Sequence, residues 1–551
     1  MDPITQVVTL GSSAASGEDM WFRANVRSNN SYNRGAQSGS VHTAYDNDHI
    51  YFAYSVEATY NGGNGYRTHR GEIWKVKKKD GSTVWHKSYE NVDGAYEVFE
   101  IFGVDISPNG NYLVISGIFN KEGVGYGNYS NFRYGFAELS TTDGSLRTTA
   151  NGALYAGGVK DDNGNNGKER KGGILYRPGS NDEFIIPGRG DGPSYSGFAR
   201  INRGPSVYTT DYHVDMYGNS PFNDYTTTNI TVKGIYRDPD NSNLMWFHRQ
   251  DYYNSKYYNY FLLYNVSGGT PTYVCGLRLR ISYNYKGRSL FTAKYTSSSN
   301  IELYIHTEWS NTESKITKLT WNGSSWSKNW QNNVVVSNGG YGARACHAIT
   351  YDDDNDRLVV WESDPPNTYV VRQINPSNGA NVNVRRIAID DDASRTSWNM
   401  TTANTNGEDV ANNYVFKNPC FRAVDGYMYV SLQGLDTYNN SYQGHLAFKV
   451  STDISELPST ETIYNTNVQG NSYHQPTMSF VITSHEPVGS YSTVSSASVD
   501  ATIDNLGSHT PSLYGTNSGP NQYYNWNEST CDEWITAATD RWPSDIQITI
   551  D

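Results

Sequence analysis

Residues Phe102 to Gly117 read Phe-Gly-Val-Asp-Ile-Ser-Pro-Asn-Gly-Asn-Tyr-Leu-Val-Ile-Ser-Gly, and this stretch decides the fold. It contains an apolar strand, a turn at Pro108 to Gly110 and a second apolar strand. The chain continues with a strand through Tyr134 to Leu139 and a turn at Asp143-Gly144. Asn-Gly and Asp-Gly pairs permit the positive φ angles that tight hairpins need. The stretch therefore predicts a meander of three or four antiparallel strands.

The same pattern returns along the whole chain. Copies begin at or near Val41, Phe102, Gly173, Gly234, Ser289, Cys346 and Cys420, with spacings of 61, 71, 61, 55, 57 and 74 residues. A meander with two apolar faces must stack on its neighbours, and closing the array into a ring covers both ends. The pattern predicts an all-β fold, a seven-bladed β-propeller of four-stranded antiparallel blades. Two separate β-sandwiches are the alternative, but they do not predict one period in seven copies.

The pattern changes after about residue 468, which predicts two regions. Residues 1–467 are predicted to form the propeller, with a strand at Thr5 to Leu10 that completes the last blade and closes the ring. Residues 468–551 are rich in Ser, Thr, Val and Asn and are predicted to form a small C-terminal β-rich appendage. This appendage either packs on the propeller or extends towards a partner as a docking segment. Near its end we expect a short helix at Asp532 to Ala538 and a strand at Ile546 to Ile550.

Composition supports a β protein and argues against several classes of function. The 551 residues include 45 tyrosines and 51 glycines, and only 18% are charged. The net charge of −13 argues against general binding to nucleic acid, which needs a basic surface. We see neither a signal peptide nor a run of ~18 apolar residues that could insert into a membrane. The cysteines have no metal-ligand spacing and are expected to be buried free thiols, although pairing stays open: Cys275, Cys346, Cys420 and Cys531.

No motif of a known catalytic site occurs in the chain. It lacks a Gly-x-Ser-x-Gly elbow, a His-Glu-x-x-His pair and a phosphate-binding Gly-rich loop. We therefore predict no catalytic residue, no cofactor and no metal, and the sequence identifies no ligand-binding residue. A pair of glycosidase carboxylates stays an alternative, because Asp and Glu are plentiful. His42, His248 and His347 occupy comparable zones of different blades, and we interpret them as core or rim residues rather than a metal set.

Clusters of charged residues are interpreted as structural features. The acidic runs at Asp352–Asp356, Asp238–Ser242 and Asp390–Asp392 are predicted to be hairpin turns rather than cation sites, and residues 161–167 a surface loop. Arg189-Gly190-Asp191 matches a short adhesion tripeptide but is interpreted as a solvated turn. The lysines between Lys75 and Lys79 are predicted to solvate an outer strand and to discourage edge pairing.

Two clusters mix aromatic rings with amides, at Tyr252–Tyr260 and at Asn521–Asn527. Such side chains can stack on sugar faces while the amides bind hydroxyl groups, or they can contact a protein partner. The same rings can equally cover the edges of blades. Both interpretations stay open at the level of sequence.

The repeat resembles a known family. Its Pro-Asn-Gly turn followed by Phe-x-x-Leu-x-x-x-Asp-Gly-Ser-Leu (Phe136 to Leu146) resembles the β-propeller repeats of structural proteins in tailed bacteriophages, especially phages of marine bacteria. The run from Leu446 to Asp453 and the Ser/Thr/Val-rich segment to Thr510 are similar to the end of those proteins. The resemblance covers about residues 41–510. It implies a virion component of the tail or fibre type, made in the host cytoplasm without a signal peptide.

These observations give three hypotheses of function. The first is a non-catalytic structural or attachment protein of a bacteriophage virion, present in multiple copies. Its expected partners are other virion proteins and a host cell-surface glycan. The second is a glycan-binding, lectin-like propeller, and the third is a propeller enzyme that degrades polysaccharide. The symmetry of the assembly and the docking partner stay open.

Overall fold

The computed structural model describes residues 7–8, 21–28, 41–61, 66–90, 99–119, 133–148, 156–159, 173–189, 196–203, 208–215, 230–253, 256–281, 289–310, 313–335, 346–364, 368–391, 426–435, 442–455, 460–464, 478–483, 490–495, 502–506, 512–514, 537–540 and 546–550. In these ranges the secondary structure consists of β-strands and turns, with no helix. No helix long and apolar enough to cross a membrane therefore occurs within them.

The strands of the first half are β1 (Val7–Val8), β2 (Trp21–Ser28), β3 (Val41–Tyr45), β4 (His49–Asn61), β5 (Tyr66–Lys77), β6 (Thr83–Glu90), β7 (Phe99–Ile106), β8 (Tyr112–Phe119), β9 (Arg133–Ser140), β10 (Ala156–Val159), β11 (Leu175–Tyr176), β12 (Glu183–Arg189), β13 (Ser196–Arg203), β14 (Tyr208–Asp215), β15 (Ile230–Arg237), β16 (Leu244–Tyr253), β17 (Lys256–Asn265) and β18 (Thr272–Ile281). The strands of the second half are β19 (Ser289–Ser297), β20 (Asn300–Ser310), β21 (Glu313–Trp321), β22 (Trp326–Val335), β23 (Cys346–Asp352), β24 (Arg357–Asp364), β25 (Thr368–Ile374), β26 (Asn381–Asp391), β27 (Tyr427–Leu435), β28 (Tyr442–Ser451), β29 (Thr460–Tyr464), β30 (Met478–Thr483), β31 (Ser490–Ser495), β32 (Thr502–Asn505), β33 (Ser512–Tyr514), β34 (Ala537–Asp540) and β35 (Ile546–Ile550).

The first six predicted copies each form a sheet of their own from four consecutive antiparallel strands. Sheets 1 to 6 contain β3–β6, β7–β10, β11–β14, β15–β18, β19–β22 and β23–β26 in that order. The prediction of an all-β propeller with antiparallel blades is thereby confirmed. The predicted turns are also present, because Gly110 and Gly144 have φ angles of 73° and 70°. The seventh copy differs from the other six, since its sheet combines strands from both ends of the chain.

Apolar side chains fill the spaces between neighbouring sheets. The Phe-x-x-Leu motif explains how one strand serves two interfaces, because residues three apart in a strand point to opposite faces. Phe136 contacts Phe184 of sheet 3 with ring centroids 4.6 Å apart, whereas Leu139 packs in the cluster shared with sheet 1. The same arrangement recurs in sheet 4, where Phe261 faces sheet 5 and Tyr264 faces sheet 3. Aromatic residues thus account for much of the packing between sheets.

Side chains on one sheet also bind a turn of the next sheet, between the third and fourth strands in sheets 2, 4 and 6 and after β28 in sheet 7. Lys75 Nζ and Trp85 Nε1 donate to the Thr141 carbonyl at 2.9 and 3.0 Å. Lys318 Nζ and Trp330 Nε1 donate in the same way to the Pro376 carbonyl, at 3.1 and 2.8 Å. Further bonds of this type are Arg200 to Gly268 and Gln373 to Thr452, both at 3.1 Å. We call these the turn-carbonyl contacts; they join sheets 1 and 2, 3 and 4, 5 and 6, and 6 and 7.

Sheets 2, 3 and 4 approach each other most closely at two glycines. Gly173 donates its N–H to the Phe102 carbonyl at 2.8 Å, so a backbone hydrogen bond joins sheets 2 and 3. A Cβ atom on Gly103 would lie 2.6 Å from the Gly173 carbonyl carbon. A Cβ atom on Gly173, whose φ is +95°, would lie 2.7 Å from the Ile235 carbonyl oxygen. Only glycine permits this spacing.

The seventh sheet holds both ends of the chain. It has the order β27, β28, β2, β35, β1, so the C-terminal strand lies between two N-terminal strands. β2 pairs antiparallel with β28, and β1 pairs parallel with β35. The closing strand was predicted at Thr5 to Leu10; within that range Val7–Val8 lies at the outer edge, and Trp21–Ser28 is the strand that continues the seventh copy. Trp21-Phe-Arg-Ala-Asn-Val alternates only weakly in polarity and is flanked by Ser, Asn and Gly, which concealed it.

The C-terminal region adds an outer strand to six of the sheets, and we call strands β30 to β35 the C-terminal strap. In chain order, β30 joins sheet 6, β31 sheet 5, β32 sheet 4, β33 sheet 3, β34 sheet 1 and β35 sheet 7. The strap therefore runs around the propeller in the direction opposite to the repeats. Asp504 on β32 forms an ion pair with Arg278 at 2.7 Å, and Leu506 is buried. Each strap strand covers an edge that would otherwise present unpaired backbone groups.

The division of the chain into a propeller (residues 1–467) and a C-terminal appendage (residues 468–551) stays a prediction. The strands beyond it lie within propeller sheets, in line with the alternative in which the region packs on the propeller. β-Strands were expected there, and Ile546–Ile550 is one. The helix predicted at Asp532 to Ala538 is wrong at its end, since Ala537–Asp540 is a strand paired with β6. Pairing with an open sheet edge overrode the helical preference of the two alanines.

Three alanine substitutions test the close approach of sheets 2, 3 and 4. Gly179 has a φ of +72° and no atom within 4 Å of an added Cβ, so Gly179→Ala carries only the backbone cost, about 1 kcal/mol. Gly173→Ala adds a collision with backbone atoms and should lower the free energy of unfolding by at least ~3 kcal/mol. Gly103→Ala tests the collision with the Gly173 backbone alone, because Gly103 does not have a positive φ angle. Urea unfolding followed by tryptophan fluorescence measures all three, and equal losses for Gly173→Ala and Gly179→Ala would contradict the packing.

Removing the last strand tests the interlocked ends. Deletion of residues 546–551 takes β35 from between β1 and β2, so β2 loses one of its two neighbours. We expect unfolding in a urea-jump experiment to become at least about tenfold faster, because ladder bonds that must break before sheet 7 opens are lost. Deletion of Asp551 alone is the control. An unchanged unfolding rate for the longer deletion would show that β35 does not secure the ring.

Candidate ligand site at the central channel

A cavity of about 660 Å³ lies where the first strands of sheets 1 to 4 meet. The first strand of each sheet forms its inner edge, because the outer edges hold the fourth strands and the strap. The lining comes from residues 42–47 and 50 of sheet 1, 103–110 of sheet 2, 173–175, 178 and 179 of sheet 3, and 235–239 and 242 of sheet 4, together with Tyr429 of sheet 7. Volumes of this size are typical of small-molecule sites.

Asp105 joins three sheets at the cavity wall. Its Oδ2 accepts the Tyr176 backbone N–H at 2.7 Å and an Arg237 guanidinium N–H at 2.7 Å. The same Arg237 nitrogen donates to the Tyr176 carbonyl at 2.6 Å. The side chains of Asp105 and Arg237 keep 15% and 29% exposure, so the pair is accessible from the cavity. Oδ1 of Asp105 accepts no hydrogen bond from the described residues and remains an acceptor.

Sheet 1 provides an aromatic ring and a carboxylate beside each other. Tyr45 is 48% exposed, and Lys78 Nζ lies 5.2 Å from its ring centroid. Asp46 Oδ1 accepts the backbone N–H groups of Asp48 and His49 at 2.8 and 2.7 Å, which fixes the hairpin turn. Burial alone would raise the pKa of Asp46. The hydrogen bonds from these N–H groups and from the Tyr51 hydroxyl outweigh burial, so the pKa lies below its ordinary value. Asp46 therefore remains ionised.

His42 and Asp238 complete the titratable groups of the lining. Burial lowers the pKa of His42 to about 3, which keeps the imidazole neutral. Its Nε2 is buried and has no hydrogen-bond partner within the described part of the chain. Burial raises the pKa of Asp238 to about 6, although Trp246 Nε1 donates to its Oδ2 at 2.8 Å. The charged lining thus comprises three carboxylates and one guanidinium.

The acidic runs fall mainly where they were expected. Asp352–Asp356 forms the turn between β23 and β24, with Asp352 Oδ1 accepting the Asp354 N–H at 3.0 Å. Asp238 begins the turn before β16, and its Oδ1 accepts the Asn241 N–H at 3.0 Å. The prediction for Asp390–Asp392 is wrong, because Asp390 and Asp391 lie in β26 and pair with β30. A strap strand on the edge extends β26 into this acidic segment.

The histidines do not form one site. His42 lies on the inner strand of sheet 1, whereas His248 lies on the second strand of sheet 4 and stacks on Phe261 at 4.5 Å. His347 is part of β23. Among the described residues, no group of three or more His, Cys, Asp or Glu is placed to hold a metal ion. The interpretation as core and rim residues agrees with the positions of His42 and His248.

The lysine run is only partly solvated. Lys77 and Lys79 are exposed, as expected, but Lys75 and Lys78 are buried. Lys75 makes a turn-carbonyl contact with sheet 2, and burial lowers its pKa. The prediction of an outer, solvated strand is therefore wrong for these two residues. Lys75 lies on β5, which β6 and sheet 2 cover, and Lys78 lies in the following turn with its Nζ 5.2 Å from the Tyr45 ring centroid.

The remaining candidates that the structure describes do not line the cavity. Tyr258 and Tyr260 are buried in the cluster between sheets 3 and 4, which favours the structural interpretation of these two rings. Cys275 is a buried free thiol, as predicted. Arg189 ends β12. Residues 161–167, Gly190, Asp191 and 521–527 lie outside the described residues.

The sequence did not identify Tyr45, Asp105 or Arg237 as members of one site. Tyr45 and Arg237 each end the first strand of their repeat, and Asp105 lies one residue before the end of its first strand. In a propeller these strand ends converge on one mouth of the channel. Aligning the repeats at the end of the first strand would have brought Tyr45, Asp105 and Arg237 within one residue of each other, with Ile106 at the aligned position of sheet 2.

No protein-family model matches the chain, and no curated protein matches it. Among solved structures, a periplasmic gluconolactonase of Pseudomonas aeruginosa is similar with 11% identity and a TM-score of 0.35, over 73% of this chain and 97% of that chain. A eukaryotic initiation factor is similar with 10% identity and a TM-score of 0.26, over 77% of this chain and 83% of that one. At these TM-scores neither likeness carries an argument about function.

The pKa of Asp238 predicts a specific pH dependence. The folded chain binds this proton more tightly than the unfolded chain, so the contribution to stability falls as the pH rises from about 4 to about 6. Asp238→Asn should remove this decline, which amounts to at most ~3 kcal/mol. Asp46→Asn is the matched control: because the pKa of Asp46 is lowered, its contribution is lost only as the pH falls below about 4. Urea unfolding between pH 4 and 7 measures both, and an unchanged slope in Asp238→Asn would contradict the assignment.

Proposed function

We propose that this chain is a non-catalytic structural and attachment protein of a bacteriophage particle. The observation that carries the proposal is the C-terminal strap, which pairs with six of the seven sheets and ends between two N-terminal strands. A chain whose ends hold each other must break several ladders before any sheet opens. Such a topology gives slow unfolding, which suits a component that persists outside cells. The resemblance of residues 41–510 to phage propeller repeats supports the same function.

The proposal includes one closed ring of seven blades, with sheet 7 as the last blade. Apolar clusters join sheets 1 to 6 in succession, and Tyr429 of sheet 7 packs against Phe52 and Trp74 of sheet 1. Between sheets 6 and 7, Thr452 donates its hydroxyl hydrogen to Asp352 at 2.5 Å and accepts at its carbonyl from Gln373. These contacts support closure on both sides of sheet 7. In this arrangement other virion proteins are the expected partners, and the chain resides in the virion in several copies.

A glycan-binding, lectin-like propeller is the second candidate. The observation that favours it is the cavity at the channel mouth, where an exposed ring lies beside carboxylates and a guanidinium. The two candidates are compatible, since an attachment protein needs a ligand on the host surface. They differ in where the chain is found and in whether it binds sugar on its own.

Analysis of purified particles tests the leading function. Particles produced by cells that carry the gene are purified on a density gradient and analysed by mass spectrometry and by immunogold labelling with antibodies to the chain. We expect the chain in every particle at several copies, with gold at a defined part of the virion. A strain carrying the deletion of residues 546–551 should give particles that lose the chain or lose infectivity faster on heating. Particles that contain no copy of the chain would overturn the proposal.

A further inference from the structure

The cavity walls suit a compact ligand with both polar edges and an apolar face. The lining offers an acceptor at Asp105, a donor at Arg237 and a negative charge at Asp46, whose carboxylate oxygens already accept hydrogen bonds from Asp48, His49 and Tyr51. Hydroxyl groups donate and accept at once, so they can bind both kinds of partner. Tyr45 contributes an exposed aromatic ring beside these groups. Sugar rings combine hydroxyl edges with C–H faces that pack on aromatic rings, and this combination matches the lining.

Two glycines at the contacts between sheets 2, 3 and 4 close one side of the cavity. Gly103 and Gly173 line the cavity, and their backbones are too close to admit any side chain between them. A ligand that enters between the first turns of sheets 1 to 4 therefore stops at a wall. This wall favours binding of one ring of a chain over passage of an extended chain through that side of the channel.

The charge of the lining discriminates among sugars. Among the lining residues, the carboxylates of Asp46, Asp105 and Asp238 outnumber the one guanidinium, Arg237, which is already paired with Asp105. Two further groups lie beside the lining: His49 Nδ1 is 3.0 Å from Asp46 Oδ1, and Lys78 Nζ is 5.2 Å from the Tyr45 ring centroid. His42 is neutral, so it does not offset the acidic groups. In a cleft with low-dielectric walls, an excess of one sign is felt strongly by a bound ligand. A carboxylate or phosphate on the sugar would be repelled, whereas an amino group would be attracted.

We propose that the channel mouth binds one sugar ring of a host surface glycan, neutral or bearing an amino group, with Tyr45 stacking on the ring. The proposal rests on the proposed attachment function and names its ligand class. Oδ1 of Asp105, which accepts no hydrogen bond from the described residues, accepts one from a sugar hydroxyl, and Arg237 donates to a ring or hydroxyl oxygen. The carboxylate of Asp46 supplies negative charge that attracts an amino group. Unlike the aromatic clusters named from the sequence, this site is formed by four different repeats.

Saturation-transfer NMR titrations of the full chain with glucose, glucosamine and glucuronate test the ligand class, because the three probes share a ring and differ in charge. We expect saturable binding of glucose and glucosamine, with glucosamine tighter at low salt, and at least about tenfold weaker binding of glucuronate. Binding of glucuronate as tight as that of glucosamine would overturn the charge argument. Absence of binding by all three probes would overturn the proposal.

Two variants and a control locate the binding. Tyr45→Ala should weaken glucosamine binding about tenfold, since it removes the exposed ring that stacks on the sugar. Asp46→Asn keeps the Oδ1 acceptor of the turn and should bring glucosamine binding down to the level of glucose. Val382→Ala, an equally exposed residue of sheet 6 outside the cavity, should leave both unchanged. Full binding in Tyr45→Ala would place the sugar elsewhere and overturn the assignment.

The titrations and the particle analysis fail independently. A chain that is present in virions but binds none of the three sugars would retain the attachment function and lose the inferred ligand class. A chain that binds sugar but is missing from virions would lose the virion function and retain the site as that of a lectin.

Discussion

The structure depends on apolar packing between sheets that have two apolar faces. A four-stranded blade of this kind cannot remain exposed on either side, so every sheet needs a neighbour. The Phe-x-x-Leu spacing meets this requirement within a single strand, since Phe136 faces sheet 3 while Leu139 faces sheet 1. Packing alone leaves the relative rotation of two sheets loosely fixed. The turn-carbonyl contacts restrict this rotation, because each is a directional hydrogen bond from one side chain to one carbonyl of the next sheet.

The second constraint concerns the edges of the sheets. The inner edges face the channel, but the outer edges would present unpaired backbone groups over the whole circumference. The C-terminal strap covers six of these edges with short strands from one continuous segment. It also makes the last strand depend on the first, because β35 pairs with β2 on one side and β1 on the other. The final arrangement of sheet 7 therefore needs residues from both ends of the chain.

The repeats could be predicted from the sequence, but the pairing of the N- and C-terminal strands with the propeller sheets could not. Local signals, such as the Pro108 to Gly110 turn and the apolar strands around it, specify each meander. Part of the strap carries such a signal, since Ile546–Ile550 was predicted as a strand, but Thr502–Asn505 was not. This segment pairs with the edge of β18, with Arg278 opposite Asp504. Lys75 was misread for a similar reason, since a lysine that binds a carbonyl of another sheet looks the same in sequence as a solvated one. Long-range pairing decides both cases.

The channel mouth shows why the site was harder to predict than the fold. Its charged residues serve the architecture first: Asp105 joins sheets 2, 3 and 4 through Tyr176 and Arg237. Asp105 and Arg237 do not stand out in their own repeats, and they become one site only when the packed sheets bring the strand ends together. The same bonds that hold the sheets also aim the carboxylate and the guanidinium at the cavity. The geometry of the cavity wall therefore depends on the packing of these sheets, because loosening sheet 4 from sheets 2 and 3 would separate Arg237 from Asp105 and Tyr176 and remove the preorganised polar edge.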